Sequence, residues 1–265
     1  MYKLCSSAED RSVANLFGLG RSTVDTIYRE FCDAVVCLLE DRWINMPSPG
    51  AMGDRIREFG AVCEFPQAIG ALDGCHFPVS PPKESAPDYY NYKGWHSIVL
   101  LTLVDHRYCF RYVNVGSPGR CHDAYIYQRS QLAEFIEGPT FQAPAVAFSQ
   151  TAVPPLILCD QAFPLTSHLI KPFSHSAHLD ADMKRLNYHL SKARRVVENA
   201  FGRLKARFMF CMKRMECSID TAPLVIRACC TLNNICEAFG DHVMQDWTSD
   251  AQVSEALYQQ PQSRR

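Results

Sequence analysis

Four apolar segments of strand length, with helical stretches after the third and after the fourth, constrain the fold of this chain most strongly. The apolar segments cover residues 68–79, 97–104, 108–115 and 155–160. Helical patterns cover residues 122–136, 191–208 and 222–239. The turn between the second and third apolar segments is short enough for a hairpin. Strands and helices in this order predict an α/β fold with a mixed sheet.

The first 46 residues are predicted to be helical. Two helical stretches, 11–18 and 22–28, flank a short glycine-containing turn, and Ser22 with Asp25 fits a capping box on the second. This is the pattern of a helix-turn-helix unit, whose second helix contacts DNA. The polar residues that this helix would offer are Ser22, Thr23, Thr26 and Arg29. A short helix pair is also a common packing unit, and the pattern alone favours that structural role.

The remaining boundaries follow from composition. Residues 47–65 begin with a segment rich in proline and serine and continue as a connecting helix, so we interpret them as a linker. Residues 66–240 hold the strands and helices of the α/β core. Residues 241–265 end in a polar stretch of glutamine, serine and arginine and are predicted to be disordered.

Charge is balanced over the whole chain but not along it. The 27 Lys and Arg residues against 28 Asp and Glu residues leave a formal charge of −1, which excludes a globally basic protein. Between residues 183 and 215, however, ten basic residues stand against a single acid, Glu198. We interpret this basic segment as a surface for a polyanion. The alternative is a solvated helix face on which Arg194 pairs with Glu198.

Cysteine usage and hydropathy indicate a soluble, intracellular protein. The 13 cysteines are scattered through apolar segments, and no Cys-x-x-Cys pair occurs. We therefore expect reduced, buried thiols and no structural zinc. The longest strongly apolar run, residues 97–104, is too short to cross a bilayer. No membrane association is expected.

Three carboxylates occupy positions where burial requires compensation. Asp73 interrupts one apolar strand, Asp160 ends another, and Glu198 lies at the rim of the apolar stripe of its helix. If the two strands are neighbours and the helix covers them, the three acids converge. Converging anions repel one another unless a divalent metal neutralises them, which is the arrangement of two-metal phosphoryl chemistry. Spacing alone favours the alternative, three unconnected surface acids.

Six segments, in this order, resemble motifs of Harbinger/PIF-type transposases and the nucleases derived from them. They are GALDGCH at 70–76, YKGWHSI at 92–98, GSPGRCHDA at 116–124, CDQAFPL at 159–165, RRVVENAFGRLK at 194–205 and ACCTLNNI at 228–235. The resemblance extends over about residues 66–240. Cys75, Cys159, Ala162, Phe163 and Asn233 depart from the usual motifs, but none of these departures removes a carboxylate.

The resemblance implies a ribonuclease H-like fold and a metal-dependent endonuclease of the DDE type. Asp73, Asp160 and Glu198 would be catalytic and would bind Mg²⁺ or Mn²⁺. Asp123 matches a further acid and would be an accessory ligand or a helix N-cap. The alternative is a domesticated factor that binds DNA or chromatin without cutting it.

The same resemblance implies DNA as the partner and a location in the nucleus, with the cytoplasm as a second location. Phosphate contacts are expected from Arg194, Arg195, Lys205 and Arg207. A separate Myb-like DNA-binding protein is a further expected partner, and self-association stays open. His76 and His122 neighbour the proposed ligands and would contact phosphate, and Trp95 with Tyr89, Tyr90 and Tyr92 would stack on bases, although structural and packing roles are more ordinary for such residues.

Overall fold

The computed structural model describes residues 1–6, 8–141, 145–148, 150–174, 178–241, 243–244 and 247. Its helices are α1 (Tyr2–Cys5), α2 (Asp10–Phe17), α3 (Arg21–Trp43), α4 (Pro49–Cys63), α5 (Ala86–Tyr89), α6 (Asp123–Gln128), α7 (Gln131–Glu137), α8 (Ala181–Arg207) and α9 (Ala222–Ala238). Its strands are β1 (Ala68–Pro78), β2 (Ser97–Val104), β3 (Phe110–Pro118), β4 (Val146–Phe148), β5 (Thr151–Val153), β6 (Leu156–Leu158) and β7 (Leu169–Ile170). The predicted disordered tail lies almost entirely outside the described residues.

The main sheet is mixed, with strand order β3-β2-β1-β6-β7. β1 is antiparallel to β2, which is antiparallel to β3, whereas β6 is parallel to β1 and β7 is parallel to β6. All eight residues of β2 are buried, as expected for a strand covered on both faces. A mixed sheet flanked by helices fits a ribonuclease H-like fold and confirms the α/β prediction.

Side chains alternate across β1 and divide the core into two layers. Ala71 and Phe77 pack on one face with residues of α8 and α9. Leu72 points to the opposite face, where it packs with residues of α4, α6 and α7. Because the strand period is two residues, Asp73 shares the face of Ala71, and Gly74 shares the face of Leu72. The α8 helix therefore covers the face that carries Asp73.

The N-terminal helices differ from the predicted helix-turn-helix unit, which the structure does not confirm. α3 begins at Arg21 with Gly20 as its N-cap, and no side chain caps it, so the predicted capping box at Ser22 is wrong. Gly18 ends α2 in the left-handed conformation with φ 65°. α3 continues for 23 residues and packs along α9, where Arg227 donates to Glu40. This long helix is part of the core packing rather than a short recognition helix.

Two other predicted helices have different bounds. The helix expected over residues 122–136 is two helices, α6 and α7. Between them, the side chain of Ser130 caps α7 by accepting a hydrogen bond from the backbone N–H of Ala133. α8 begins at residue 181, ten residues before the predicted start, and the side chain of Asp180 accepts from the N–H of Met183 at 2.8 Å. Within the described residues, no helix combines the length and apolar character needed to cross a membrane.

Candidate active site

Asp73 lies in the middle of the sheet and has a cation as its neighbour. Its carboxylate side chain is 19% exposed, and Oδ2 lies 3.3 Å from Nη2 of Arg194 on α8. Oδ1 accepts from the N–H of Gly74 at 2.9 Å. Burial raises the pKa of Asp73 to about 6, against the opposing effect of Arg194, and Asp160 and Asp123 raise it further. An additional cation near this carboxylate would therefore stabilise its ionised form.

Asp123 lies against Gly74, the neighbour of Asp73 on β1, because Gly74 has no side chain. A Cβ added at Gly74 would overlap the carboxylate of Asp123, so only glycine admits this approach. Asp123 is the first residue of α6, whose N-cap is His122. Asp123 itself is therefore not the N-cap, which removes that alternative. Burial raises its pKa, and Asp160 raises it further, while His122 and Lys93 act in the opposite direction.

Asp160 reaches the site through the parallel pairing of β6 with β1. Ala71 pairs with Leu158, so Asp73 and Asp160 both lie two residues beyond that pair. Oδ1 of Asp160 accepts from the N–H of Ala162 at 2.8 Å. The preceding Cys159 is fully buried and packs with the face opposite Asp73, so its bulk points away from the acid cluster. This departure from the family motif leaves the carboxylate face open.

Glu198 lies on α8, one helical turn beyond Arg194, but its side chain is exposed. Arg194 pairs with Asp73 and not with Glu198, so the alternative of an Arg194–Glu198 pair is wrong. Asp160 and Asp123 both raise the pKa of Asp73, and Asp160 also raises that of Asp123, so the three aspartates lie within electrostatic range of one another. The metal-ligand roles of all four residues stay predictions.

The three aspartates suit a divalent metal in their chemistry. Carboxylate oxygens are the hard donors that Mg²⁺ and Mn²⁺ prefer, and burial, with the charges of Asp160 and Asp123, raises the pKa of Asp73. Across the described ranges, no three His, Cys, Asp or Glu side chains lie close enough to hold one ion. The oxygen donors of these residues suit such a metal, and in this structure Arg194 supplies the positive charge beside Asp73.

The residues predicted to bind DNA fall into two groups. Arg195 is exposed on α8, and Ser22, Thr23, Thr26 and Arg29 are exposed on α3, far along the chain from the acids. Arg207 instead donates to Oδ1 of Asn233 at 2.6 Å and to Oε1 of Glu237 at 2.7 Å, with its side chain 7% exposed. These donors serve the α8–α9 packing, and the predicted phosphate contact of Arg207 stays a prediction. Lys205 is buried with Nζ 5.8 Å from the ring centroid of Phe77, and its predicted phosphate contact also stays a prediction.

One feature of Arg194 was not predicted from the sequence. Its Nε is buried and has no hydrogen-bond partner, although Nη2 contacts Asp73. A donor of this kind beside clustered carboxylates is suited to an anion that enters the site. The sequence signal was the position of Arg194, which lies four residues before Glu198 and therefore on the same side of the helix.

The mixed sheet flanked by helices fits a ribonuclease H-like fold, and it carries Asp73 under the basic helix α8. The sequence profile described as "DDE superfamily endonuclease" matches residues 72–234, which include all four acids. The chain belongs to this DDE superfamily endonuclease family. The resemblance to Harbinger-type transposases and their derived nucleases is confirmed at the level of the family.

Two curated relatives come from Arabidopsis thaliana. The protein named Antagonist of like heterochromatin protein 1 is 25% identical over 251 residues, which is 92% of this chain and 62% of that protein. The protein named ALP1-like is 26% identical over 247 residues, 91% of this chain and 60% of that protein. The chain thus spans about three fifths of the length of these relatives. No solved structure matches it.

Proposed function

We propose that the protein is a metal-dependent DNA endonuclease that hydrolyses phosphodiester bonds at the site formed by Asp73, Asp123 and Asp160. The observation that supports this most is the burial of Asp73 in the sheet beside two further carboxylates. Such a cluster raises the free energy of the folded protein unless a cation compensates it. The chain belongs to an endonuclease family, and in an endonuclease the compensating cation would also take part in the reaction.

The chain's own residues have distinct roles in this proposal. The three aspartates, with Glu198 as the further predicted ligand, would hold Mg²⁺ or Mn²⁺. When bound, such metal activates water and stabilises the departing 3′ oxygen. Arg194 would leave Asp73 and donate to the scissile phosphate, because its Nε is free of a partner and its guanidinium suits bidentate contact with phosphate oxygens. Arg195 would contact the neighbouring backbone.

A second candidate is a DNA- or chromatin-binding factor that does not cut. Two observations favour it: Arg194 already neutralises Asp73, and Glu198 faces solvent. One relative is named as an antagonist of a heterochromatin protein, which agrees with such a role. A nuclear location and a separate Myb-like DNA-binding partner belong to both candidates as predictions from the resemblance.

Plasmid nicking separates the two functions. Supercoiled plasmid is incubated with the protein over a range of Mn²⁺ and Mg²⁺ concentrations, with Asp160→Asn and Glu198→Gln as test variants. Glu30→Gln, which changes an exposed acid on α3, is the matched control. Nicking by the wild type and the control, lost in both test variants, supports the endonuclease. Salt-dependent DNA binding with intact plasmid at every metal concentration supports the second candidate.

A further inference from the structure

Residues 90–96, which we call the aromatic loop, form a rigid turn between α5 and β2. The buried side chain of Asn91 accepts from the backbone N–H groups of Lys93 and Trp95, at 2.9 and 3.3 Å. Its amide donates to Oγ of Ser97 at 2.9 Å. Tyr90 and His96 close the loop through an antiparallel bridge. The loop is therefore held in one conformation without a ligand.

The aromatic loop packs against the strand that carries Asp73. His76, three residues along β1, shares a 2.8 Å hydrogen bond between Nδ1 and Oγ of Ser97. The His76 ring contacts Tyr92 and Trp95 edge to face, with centroid distances of 5.6 and 6.0 Å. These contacts place the loop on the face of β1 where Asp123 lies against Gly74.

Two side chains of the aromatic loop point to solvent at this position. Tyr92 is 83% exposed, although its ring contacts the ring of His76. Nζ of the exposed Lys93 lies 5.6 Å from the Tyr92 ring centroid. Lys93 also lowers the pKa of Asp123, so its charge reaches the carboxylate site. An exposed ring beside a lysine is the combination with which proteins stack on bases and bind the adjoining phosphate.

We propose that the aromatic loop holds an unpaired nucleotide of the DNA substrate next to the bond that is cut, with Tyr92 stacked on its base and Lys93 bound to its phosphate. This inference rests on the proposed function for the identity of the substrate. The rigid loop lowers the cost of ordering the binding site. The 83% exposure of Tyr92 leaves its ring accessible to a base. Stacking does not distinguish bases, so we expect little sequence preference.

The test is binding of a short single-stranded oligonucleotide that contains 2-aminopurine, measured in EDTA so that cleavage does not contribute. Stacking on Tyr92 quenches 2-aminopurine fluorescence. We expect Tyr92→Leu to weaken binding about tenfold and abolish the quenching, and Tyr92→Phe to retain both within about twofold. Lys93→Gln should weaken binding and reduce its salt dependence. Tyr2→Leu, which changes a tyrosine 49% exposed on α1, is the control.

The outcomes separate this inference from the endonuclease proposal. Quenching that depends on Tyr92, in a protein that never nicks plasmid, supports the loop and overturns the nuclease. Nicking by the wild type with oligonucleotide affinity and quenching unchanged in Tyr92→Leu overturns the role of the loop and leaves the nuclease standing. Absence of any oligonucleotide binding also overturns the role of the loop. Equal loss of affinity in Tyr2→Leu would likewise contradict it.

Discussion

Arg194 on α8 lies 3.3 Å from Asp73 on β1, and this ion pair joins residues 121 positions apart in the sequence at the centre of the candidate site. The arginine supplies positive charge where a metal is expected to act. We expect Arg194 and a divalent metal ion to compete for the carboxylate of Asp73, and this competition can be measured.

Removing the arginine should strengthen metal binding. Arg194→Gln frees the carboxylate of Asp73 from its counter-ion, so a divalent ion meets less competition. We expect Mn²⁺ to raise the thermal unfolding midpoint of this variant more than that of the wild type, because a tighter ligand stabilises the folded state more. Arg195→Gln, which changes the exposed neighbour, should respond to Mn²⁺ as the wild type does. An equal response in all three proteins would show that Arg194 does not compete with metal.

Filling the space at Gly74 should displace Asp123. The Cβ of Gly74→Ala would overlap the Asp123 carboxylate, so α6 must shift or the acid must turn away. We expect a loss of stability of about 2 kcal/mol and loss of nicking, measured by chemical denaturation and by the plasmid assay.

Gly53→Ala on α4 is the control for this change, because its Cβ would meet only the end of a flexible arginine side chain at 3.7 Å. Alanine has the higher helix propensity, so this variant should be as stable as the wild type or more so. If Gly74→Ala is equally stable and active, Asp123 has no role in the site.

The buried side chain of Asn234 should be important for stability. Nδ2 donates to the carbonyl groups of Phe110 at 2.7 Å and Trp43 at 2.9 Å, and Oδ1 accepts from the N–H of Phe110 at 2.8 Å. Asn234→Ala would leave buried backbone groups of α3 and β3 without partners, so we expect a loss of about 3 kcal/mol. The exposed Asn199→Ala on α8 should change the free energy of unfolding by less than about 0.5 kcal/mol. If Asn234→Ala loses no more stability than Asn199→Ala does, the role of Asn234 in linking α3 and β3 is contradicted.

His76 should make the fold sensitive to acid. Burial, with Lys93 and Lys205, lowers its pKa from 6.5 to about 4 in the folded protein. The unfolded chain therefore binds this proton first as the pH falls, and the stability present above pH 6.5 is lost towards pH 4. After allowance for partial exposure, the contribution is about 2 kcal/mol.

The measurement is the free energy of unfolding of the wild type and of His76→Gln at pH 7.5 and pH 4.5. The variant keeps a side chain that can hydrogen-bond Ser97 but does not titrate, so its loss of stability over this interval should be smaller. His178→Gln, which changes an exposed histidine, should follow the wild type. Parallel pH profiles for His76→Gln and the wild type would contradict the assignment.

The sequence predicted the long strands because burial on both faces of the sheet produces continuous apolar runs such as β2. It did not predict β7, because a strand of two residues leaves no periodic pattern. Two signals for the early start of α8 were missed: Asp180 was a usable N-cap, and Met183, Leu186 and Leu190 recur at helical spacing among polar residues.

The candidate site was predictable only in part, because some of its contacts depend on how distant elements pack together. Burial of Asp73 and its place in an apolar strand follow from local pattern. The approach of Asp123 depends on α6 crossing Gly74, and the choice of Arg194 between Asp73 and Glu198 depends on how α8 lies over β1. These are tertiary relationships, and no local spacing determines them.

The most direct test of the account is a calorimetric titration of Mn²⁺ into the wild type, Asp160→Asn and Glu198→Gln, with Glu30→Gln as the control. The account predicts saturable binding to the wild type and the control, and affinity at least about tenfold weaker in Asp160→Asn and Glu198→Gln. Wild-type affinity in both variants, or no saturable binding to the wild type, would contradict the claim that these carboxylates form a metal site.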